Sequence, residues 1–270
     1  MLHRAAHHKA RTRRWLAGVV CINLILGACG DDTNETLHIL VTNDDGIDSP
    51  GIDSIVEALG TLPDVELAIV APAGDQSGTG RDTSGEPVEA EETTTVSGEA
   101  GIAVDGFPAD AVVHAFDEVF IEEQERPHLV VSGNNEGPNL GFISYISGTV
   151  GAARVAADAG VPGLAVSQGL GDPPDFEAAV PFVLEWVEQN REALLAGRMP
   201  TDTVASLNVP TCEEGEVRGL EEVPLAQDAG ERSVVGPSDC TSTETDPIDD
   251  IDGFLNGFAT LTDVPVEEGP

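Results

Sequence analysis

Two short apolar runs separated by a helical segment constrain the fold of this chain more than any other feature. Residues 38–42 are apolar and β-branched, and Asn-Asp-Asp-Gly ends the run abruptly. Ile52, Ile55, Val56 and Leu59 then recur at helical spacing, and a second apolar run covers 65–72. This pattern predicts a strand, a helix and a second strand. A strand–helix–strand unit points to a parallel sheet with right-handed crossovers.

The rest of the chain continues the alternation of strands and helices. Further elements are predicted as a helix at 109–120, a strand at 128–132, a helix at 149–159, a strand at 164–167, a helix at 176–195 and a strand at 203–209. Residues 81–100 are polar and acidic and predict a surface excursion. Residues 211–270 are rich in Gly, Pro and acids, with short β-like pieces such as 258–261. The predicted class is α/β with an irregular, β-rich C-terminal section.

The charge of the chain excludes several classes of partner. The chain has 12 Lys and Arg against 49 Asp and Glu, and five of the cations lie in residues 1–28. Binding to duplex DNA or RNA requires clustered cationic side chains, so neither is an expected partner. Anionic lipid headgroups are excluded as a docking surface for the same reason.

Residues 1–28 have the layout of a bacterial export signal. A basic start precedes an apolar run at 15–26, which is too short to span a bilayer of ~30 Å as a permanent helix. The run ends in Leu-Gly-Ala-Cys, which resembles a lipoprotein signal box with Cys29 as the lipidated residue. We expect an exported protein, lipid-anchored at Cys29 in the periplasm or at the cell surface, with residues 29–36 as a polar tether. A short N-terminal membrane anchor and a chance apolar run remain the alternatives.

Two cysteines remain once Cys21 and Cys29 are assigned to the signal and the anchor. Cys212 and Cys240 form an even pair, which in an exported protein indicates a disulfide. Two unpaired core residues are the alternative. With only three histidines after residue 28, a metal site built on these cysteines is not expected.

Polar clusters follow the predicted strands or begin the predicted helices. They are residues 43–46, 75–80, 132–139 and 147–149. Sites in open α/β sheets form at the carboxyl ends of the strands. Each cluster alone is more often a turn, a loop or a helix cap, but their joint placement predicts one site.

The chemistry of these clusters favours a hard cation and a phosphate. Adjacent carboxylates with amide and hydroxyl oxygens, and no nearby His or Cys, suit Mg²⁺ or Mn²⁺. The free N–H groups at the start of the helix after Ser147 can bind an anion. A cation beside a helix N-terminus is the arrangement that phosphate-ester hydrolysis requires: the metal activates a water and the helix end holds the phosphate.

Several longer motifs resemble the SurE (survival protein E) family of metal-dependent 5′-nucleotidases. They are Val41-Thr42-Asn43-Asp44-Asp45-Gly46 with Pro50-Gly51-Ile52; Ala71-Pro72 leading to Gln76-Ser77-Gly78; Gly106-x-Pro108-Ala109-Asp110; Val131-Ser132-Gly133-x-Asn135-x-Gly137-Pro138-Asn139-Leu140-Gly141; Ser147-Gly148-Thr149-Val150; and Leu207-Asn208-Val209-Pro210. Their order and spacing hold from about residue 37 to residue 210. The resemblance places a phosphatase core at 37–210 and makes 211–270 the acidic, β-rich end of the same domain.

The resemblance implies a fold, an activity and a set of site residues. The fold is a three-layer α/β/α Rossmann-like sandwich with a mostly parallel sheet, usually as a homodimer. The activity is removal of phosphate from nucleoside 5′-monophosphates, with 3′-nucleotides or polyphosphate as possible further substrates and one divalent cation per subunit. Its metal ligands are Asp44, Asp45, Ser77 and Asn135; its phosphate-binding residues are Asn43, Gly78, Asn139, Ser147, Gly148 and Thr149; and its catalytic residues are Asp44 and Asp45, with Asp44 orienting or deprotonating the attacking water.

The chain departs from the family pattern near this site. An Asp-Arg-Asn run is common in the family where this chain has Ala73-Gly74-Asp75, so a cationic side chain near the site is missing and a carboxylate stands at residue 75. Asn134 replaces an apolar residue, and Phe142 and Ile143 replace frequent acids. The complete ligand set predicts activity. The alternative is a catalytically weak cell-surface homologue that binds nucleotides or other ligands.

The acid excess generates a prediction about stability. Past residue 28 the chain has seven Arg, no Lys and all 49 acids, so like charges repel in the compact state. We hypothesise a salt-adapted protein whose unfolding midpoint rises with KCl concentration, because salt screens this repulsion. Thermal unfolding from low to molar KCl measures it. A midpoint that does not change with salt would contradict the hypothesis.

Overall fold

The structure is a computed structural model that describes residues 35–122, 126–230 and 232–267. The described residues belong to one compact unit. The export signal predicted at 1–28 and the lipidation predicted at Cys29 lie outside them. None of the helices within these described ranges is both long enough and apolar enough to span a membrane.

A nine-stranded sheet runs through the described part of the chain. Its strands are β1 (Leu37–Thr42), β2 (Val65–Pro72), β3 (Ala90–Thr94), β4 (Ala100–Val104), β5 (Leu129–Glu136), β6 (Gly163–Gln168), β7 (Thr203–Val209), β8 (Leu220–Glu222) and β9 (Ala259–Pro265). Their order is β3-β4-β2-β1-β5-β6-β7-β9-β8. The pairs β3–β4 and β7–β9 are antiparallel, and the remaining neighbours are parallel.

Helices follow the strands along the chain. They are α1 (Pro50–Gly60), α2 (Pro108–His114), α3 (Ile143–Ile146), α4 (Gly148–Asp158), α5 (Val180–Leu195) and α6 (Asp250–Leu255). α1 begins where Ser49 accepts a hydrogen bond from the Ile52 N–H, with Pro50 in its first turn. α4 begins in the same way, with Ser147 Oγ accepting from the Val150 N–H at 3.1 Å.

Both faces of the sheet are covered, because the central strands are apolar on both sides. On β1, Leu37, Ile39 and Val41 face a core formed with α1 and α5. Leu40 faces the opposite core, which contains side chains of α2 and α4. A strand buried on both faces is typical of a parallel sheet between two helical layers. The three-layer α/β/α class predicted from the sequence is confirmed.

Some elements differ from the sequence prediction. The excursion at 81–100 contains β3 and leads into β4, which pair as a hairpin at the sheet edge. β3 is made of Glu and Thr on an exposed edge, so it lacks the apolar alternation that marks a strand. The helix predicted at 109–120 becomes a π-helical turn at Ala115–Val119 after α2. The helix predicted at 176–195 opens with a 3₁₀ turn at Phe176–Ala179, since Pro181 lies in the first turn of α5.

The C-terminal section completes the sheet. β9 pairs antiparallel with β7, and β8 adds the outer edge. Cys212 and Cys240 form a disulfide across a sequence separation of 28, beside an isolated β-bridge between Cys212 and Ser238. α6 was not anticipated, because a six-residue helix with Asp250 and Asp252 in its first turn offers too short an apolar pattern to detect.

The strand order determines where a site can form. From β1 the sheet grows through β2 on one side and through β5, β6 and β7 on the other. Adjacent parallel strands whose connections leave in opposite directions open a crevice at their carboxyl ends. That crevice lies between β1 and β5, where the predicted polar clusters converge.

Candidate active site

Asp44 is a buried carboxylate held at the start of α4. It follows β1, and only 3% of its surface is exposed. Thr149 Oγ1 donates to Asp44 Oδ1 at 2.6 Å, and the Thr149 backbone N–H also stabilises the carboxylate. Burial raises the pKa of Asp44, and these two hydrogen bonds partly offset the rise. The N-terminus of α4, predicted as an anion-binding site, therefore already interacts with one anion of the protein itself.

Gly148 makes this close approach possible. A Cβ atom at this position would lie 2.9 Å from both Cβ and Oδ2 of Asp44. Any side chain at residue 148 would therefore displace the carboxylate. The Ser-Gly-Thr sequence supplies a helix cap, room for Asp44 and a hydroxyl donor to it at successive positions.

Asp45 is partly buried beside Asp44. Its Oδ2 accepts a hydrogen bond from the Glu136 N–H at 3.0 Å, which ties the β1 loop to the end of β5. Burial, followed by the negative charge of Asp44, raises the pKa of Asp45 to about 6. Two adjacent carboxylates thus carry raised pKa values in one crevice, which is characteristic of functional sites.

Ser77 reaches the site on the loop after β2. The Gln76 N–H donates to the Asp44 carbonyl at 2.7 Å, so this loop is attached to the β1 loop. Ser77 donates twice to Asp75 Oδ1, from its N–H at 2.9 Å and from its hydroxyl at 2.6 Å. The charge of Asp75 contributes to the raised pKa of both Asp44 and Asp45. The carboxylate that departs from the family pattern therefore acts on the site electrostatically.

Asn135 approaches from the end of β5. It is 8% exposed, and its amide nitrogen donates to the Gly137 carbonyl at 2.5 Å. This bond fixes the orientation of the amide group, and no donor among the described residues occupies Oδ1. Asn135 therefore presents a carbonyl oxygen, which is the atom a cation would require.

A hydrogen-bond network behind the carboxylates includes Ser167 and Asn208, which were not predicted as site residues, although Asn208 lies in the motif at 207–210. The Asn139 amide nitrogen donates to Thr149 Oγ1 at 3.3 Å and to Ser167 Oγ at 2.8 Å. Asn208 accepts from the Asn139 N–H at 2.7 Å and donates to its carbonyl at 3.3 Å. Ser167 and Asn208 lie near the carboxyl ends of β6 and β7, and a polar residue at that position of an apolar strand was the available signal.

The six predicted phosphate-binding residues separate into two groups. Asn43 donates to the Gly46 carbonyl and to Ser49 Oγ, both at 2.8 Å, so its amide nitrogen holds the β1 loop. The side chains of Asn139 and Thr149 are likewise engaged in the network around Asp44. The hydroxyl of Ser147 and the backbone N–H groups of Gly148 and Gly78 take no part in the network around Asp44. Gly78 is exposed with φ of +77°, a conformation that suits glycine.

The oxygen atoms that remain fit a hard divalent cation. Among residues 35–122, 126–230 and 232–267, no donor hydrogen-bonds to Asp45 Oδ1, Ser77 Oγ or Asn135 Oδ1, whereas the Asp44 carboxylate is bonded by the hydroxyl and the backbone N–H of Thr149. Carboxylate, hydroxyl and amide oxygens are ligands of Mg²⁺ and Mn²⁺. Within the same ranges no three His, Cys, Asp or Glu side chains are grouped to hold a metal, so neutral oxygens would have to complete the set.

Every arginine in the described part of the chain is engaged outside these carboxylates. Arg81, Arg191, Arg198 and Arg232 form ion pairs with Asp158, Glu188, Glu192 and Asp249, while Arg126, Arg154 and Arg218 donate to the backbone carbonyls of Ala159, Val266 and Asn256. The Val266 carbonyl also accepts from Arg81 at 3.0 Å. The charge of a bound phosphate would therefore have to be balanced by a metal cation and backbone N–H groups.

The raised pKa of Asp45 predicts a stability cost in the metal-free protein. The folded state retains a proton that the unfolded state releases between pH 3.8 and about 6, so stability falls as pH rises through this range. Asp45→Asn removes the charge and retains an acceptor for the Glu136 N–H. We expect it to raise the free energy of unfolding by about 1–2 kcal/mol at pH 8, after discounting for solvent exposure, and by little at pH 4.

Urea unfolding in EDTA at both pH values measures this difference. Asp48→Asn is the matched control, because Asp48 is an exposed carboxylate of the same loop. A destabilised Asp45→Asn protein at pH 8 would show that the carboxylate is not held at an electrostatic cost.

Known proteins are similar to this chain in sequence and in fold. The family model for Survival protein SurE matches residues 39–232. The 5′-nucleotidase SurE of Brevibacillus brevis is 36% identical over 70% of this chain and 72% of that protein, and the 5′-nucleotidase SurE 1 of Burkholderia lata is 39% identical over 68% of each. The crystal structure of the SurE protein from Aquifex aeolicus matches with a TM-score of 0.69 at 28% identity, covering 86% of this chain and 94% of that chain. The resemblance found in the motifs is thereby confirmed, and the chain belongs to the SurE family.

Proposed function

We propose that this chain is a divalent-cation-dependent phosphomonoesterase that hydrolyses nucleoside 5′-monophosphates to nucleoside and phosphate. The observation that carries the proposal is the adjacent pair of carboxylates, with Asp44 held by Thr149 at the N-terminus of α4 and Asp45 held through Oδ2 by the Glu136 N–H. Ser77 and Asn135 add neutral oxygens beside them. The nucleotidase activity is carried over from the relatives, which are named 5′-nucleotidases.

The cation is Mg²⁺ or Mn²⁺, one per subunit, held by Asp44, Asp45, Ser77 and Asn135. Bound there, it would neutralise charge on the phosphoryl oxygens and lower the pKa of a bound water. We propose that the phosphate is held by the Ser147 hydroxyl, whose oxygen caps α4 and whose proton has no acceptor among the described residues, and by the backbone N–H groups at Gly148 and Gly78.

Asp44 is the residue proposed to act on the attacking water. Thr149 fixes its Oδ1, and Oδ2 lies beside Gly148, where a Cβ atom would approach it to 2.9 Å. Asp44 would orient or deprotonate the attacking water; the water oxygen bonds to phosphorus, the P–O bond to the nucleoside breaks, and the leaving oxygen takes up a proton returned from Asp44 or from solvent.

Further substrates and the assembly follow from the family resemblance alone. We propose that 3′-nucleotides and polyphosphate are possible additional substrates, and that the protein forms a homodimer. The same panel of substrates used below would detect the first, and light scattering would measure the second.

Hydrolysis assays test the proposed activity. We expect phosphate release from nucleoside monophosphates with Mn²⁺ or Mg²⁺, and none in EDTA. Asp44→Asn and Asp45→Asn each remove a charged ligand while keeping the side-chain shape, so release should fall by at least about a hundredfold. Release of inorganic phosphate at saturating cation measures the effect.

Asp48→Asn serves as the control and should retain activity. A folded wild-type protein that binds nucleotide but releases no phosphate would contradict the proposal. That result would favour the catalytically weak binding homologue.

We also propose that the protein is exported and lipid-anchored at Cys29, which would make it a scavenger of external nucleotides. The support is the basic start, the apolar run at 15–26 and the residues before Cys29. Cys29→Ser should move the protein from the membrane fraction to the soluble extracytoplasmic fraction, because a lipidated cysteine provides the attachment. Cys21→Ser is the matched control. Finding the wild-type protein in the cytosol would rule out this location.

A further inference from the structure

We infer that Asp75 is a positioning residue of the cation site, which acts through Ser77 and strengthens cation binding at the expense of phosphate binding. This inference rests on the proposed function, because it assumes that Ser77 is a cation ligand. It assigns a role to the carboxylate that departs from the family pattern.

The Ser77 hydroxyl points its proton at Asp75. Ser77 Oγ donates its only proton to Asp75 Oδ1 at 2.6 Å, and the Ser77 N–H donates to the same oxygen at 2.9 Å. A serine hydroxyl has one donor and two acceptor lone pairs, so Ser77 Oγ can then only accept at its remaining positions. A bound cation requires such an oxygen. The negative charge of Asp75 also polarises the hydroxyl and strengthens it as a ligand.

The loop that carries Asp75 and Ser77 is attached directly to the β1 loop at Asp44. The Gln76 N–H donates to the Asp44 carbonyl at 2.7 Å, between Asp75 and Ser77 in the chain. A Cβ on Gly46 would lie 3.0 Å from Gly74 Cα, so the two loops are in close contact. Asp75 therefore adds a third negative charge near Asp44 and Asp45 without being grouped with them as a direct ligand.

No arginine of the described ranges compensates the negative charges of Asp44, Asp45 and Asp75. All seven arginines of the described ranges donate to carbonyls or to carboxylates other than these three. A carboxylate at residue 75 attracts a divalent cation and repels a phosphate dianion by the same Coulomb law. The two affinities must therefore change in opposite directions when the charge of Asp75 is removed.

Asp75→Asn separates charge from hydrogen bonding. The asparagine oxygen still accepts from both groups of Ser77, whereas Asp75→Ala removes the acceptor as well. At pH 7.5, we expect Asp75→Asn to raise the Kd for Mn²⁺ about tenfold and Asp75→Ala to raise it toward a hundredfold. At saturating Mn²⁺, the KM of Asp75→Asn for a nucleoside monophosphate should fall severalfold.

The chain contains a matched control. Asp239 Oδ1 accepts from the Thr241 N–H at 3.0 Å and from its hydroxyl at 2.7 Å, which is the same local arrangement outside the site. Asp239→Asn should leave both the Mn²⁺ affinity and the KM unchanged. In a Ser77→Ala background, Asp75→Ala should cost no more than Asp75→Asn, because the hydroxyl that Asp75 orients is gone.

Calorimetric titration of the metal-free protein with Mn²⁺ gives the Kd, and steady-state hydrolysis gives the KM. If wild type binds Mn²⁺ and hydrolyses nucleotides but Asp75→Asn matches it in both quantities, the inference is wrong and the proposed function stands. If Kd and KM rise together, Asp75 only maintains the loop, and the inference is also wrong. A wild-type protein that binds no Mn²⁺ overturns the proposed function and this inference with it.

Discussion

The hydrogen bond from Thr149 to Asp44 is the contact on which the candidate site depends. It places a carboxylate from the end of β1 against the first turn of α4, which belongs to a separate strand-helix unit of the fold. The contact requires glycine at residue 148, and the Asn139 amide supports Thr149 from behind. The partial positive charge at the start of the helix thereby stabilises the carboxylate in the interior. The remaining ligands are arranged around this pair by loops from β2 and β5.

The charge distribution gives the site its character. The charge of Asp75 acts on Asp44 and Asp45, and the arginines of the described ranges donate to other groups. Such a site is electrostatically unfavourable when empty, as the raised pKa values of Asp44 and Asp45 indicate. Proteins commonly retain unfavourable groups where function needs them. The binding energy of a cation is then available to both stability and catalysis.

The sequence predicted the central fold well because apolar periodicity and the buried parallel strands agree. β1, α1 and β2 were found within two residues of their observed bounds, since each is flanked by Gly, Pro or a capping serine. The edge strand β3 was missed, because an exposed strand needs no apolar pattern. The clusters at the strand ends indicated where a site forms. The role of each residue within the site depends on distances between separate loops. The contacts of Ser167 and Asn208 and the hydrogen bonds from Ser77 to Asp75 could therefore be found only in the structure.

The Val266 carbonyl connects the far end of the chain to the site. This oxygen, one residue beyond β9, accepts from Arg81 at 3.0 Å and from Arg154 at 2.8 Å. Arg81 follows the loop that contains Ser77, and Arg154 lies on the helix whose first turn holds Asp44. One peptide group thus tethers the two segments that bring Ser77 and Asp44 together. A protein shortened to end before Val266 would retain every proposed ligand, yet it would leave two guanidinium groups without a shared acceptor. The boundary chosen for recombinant production therefore bears directly on how precisely the site is assembled.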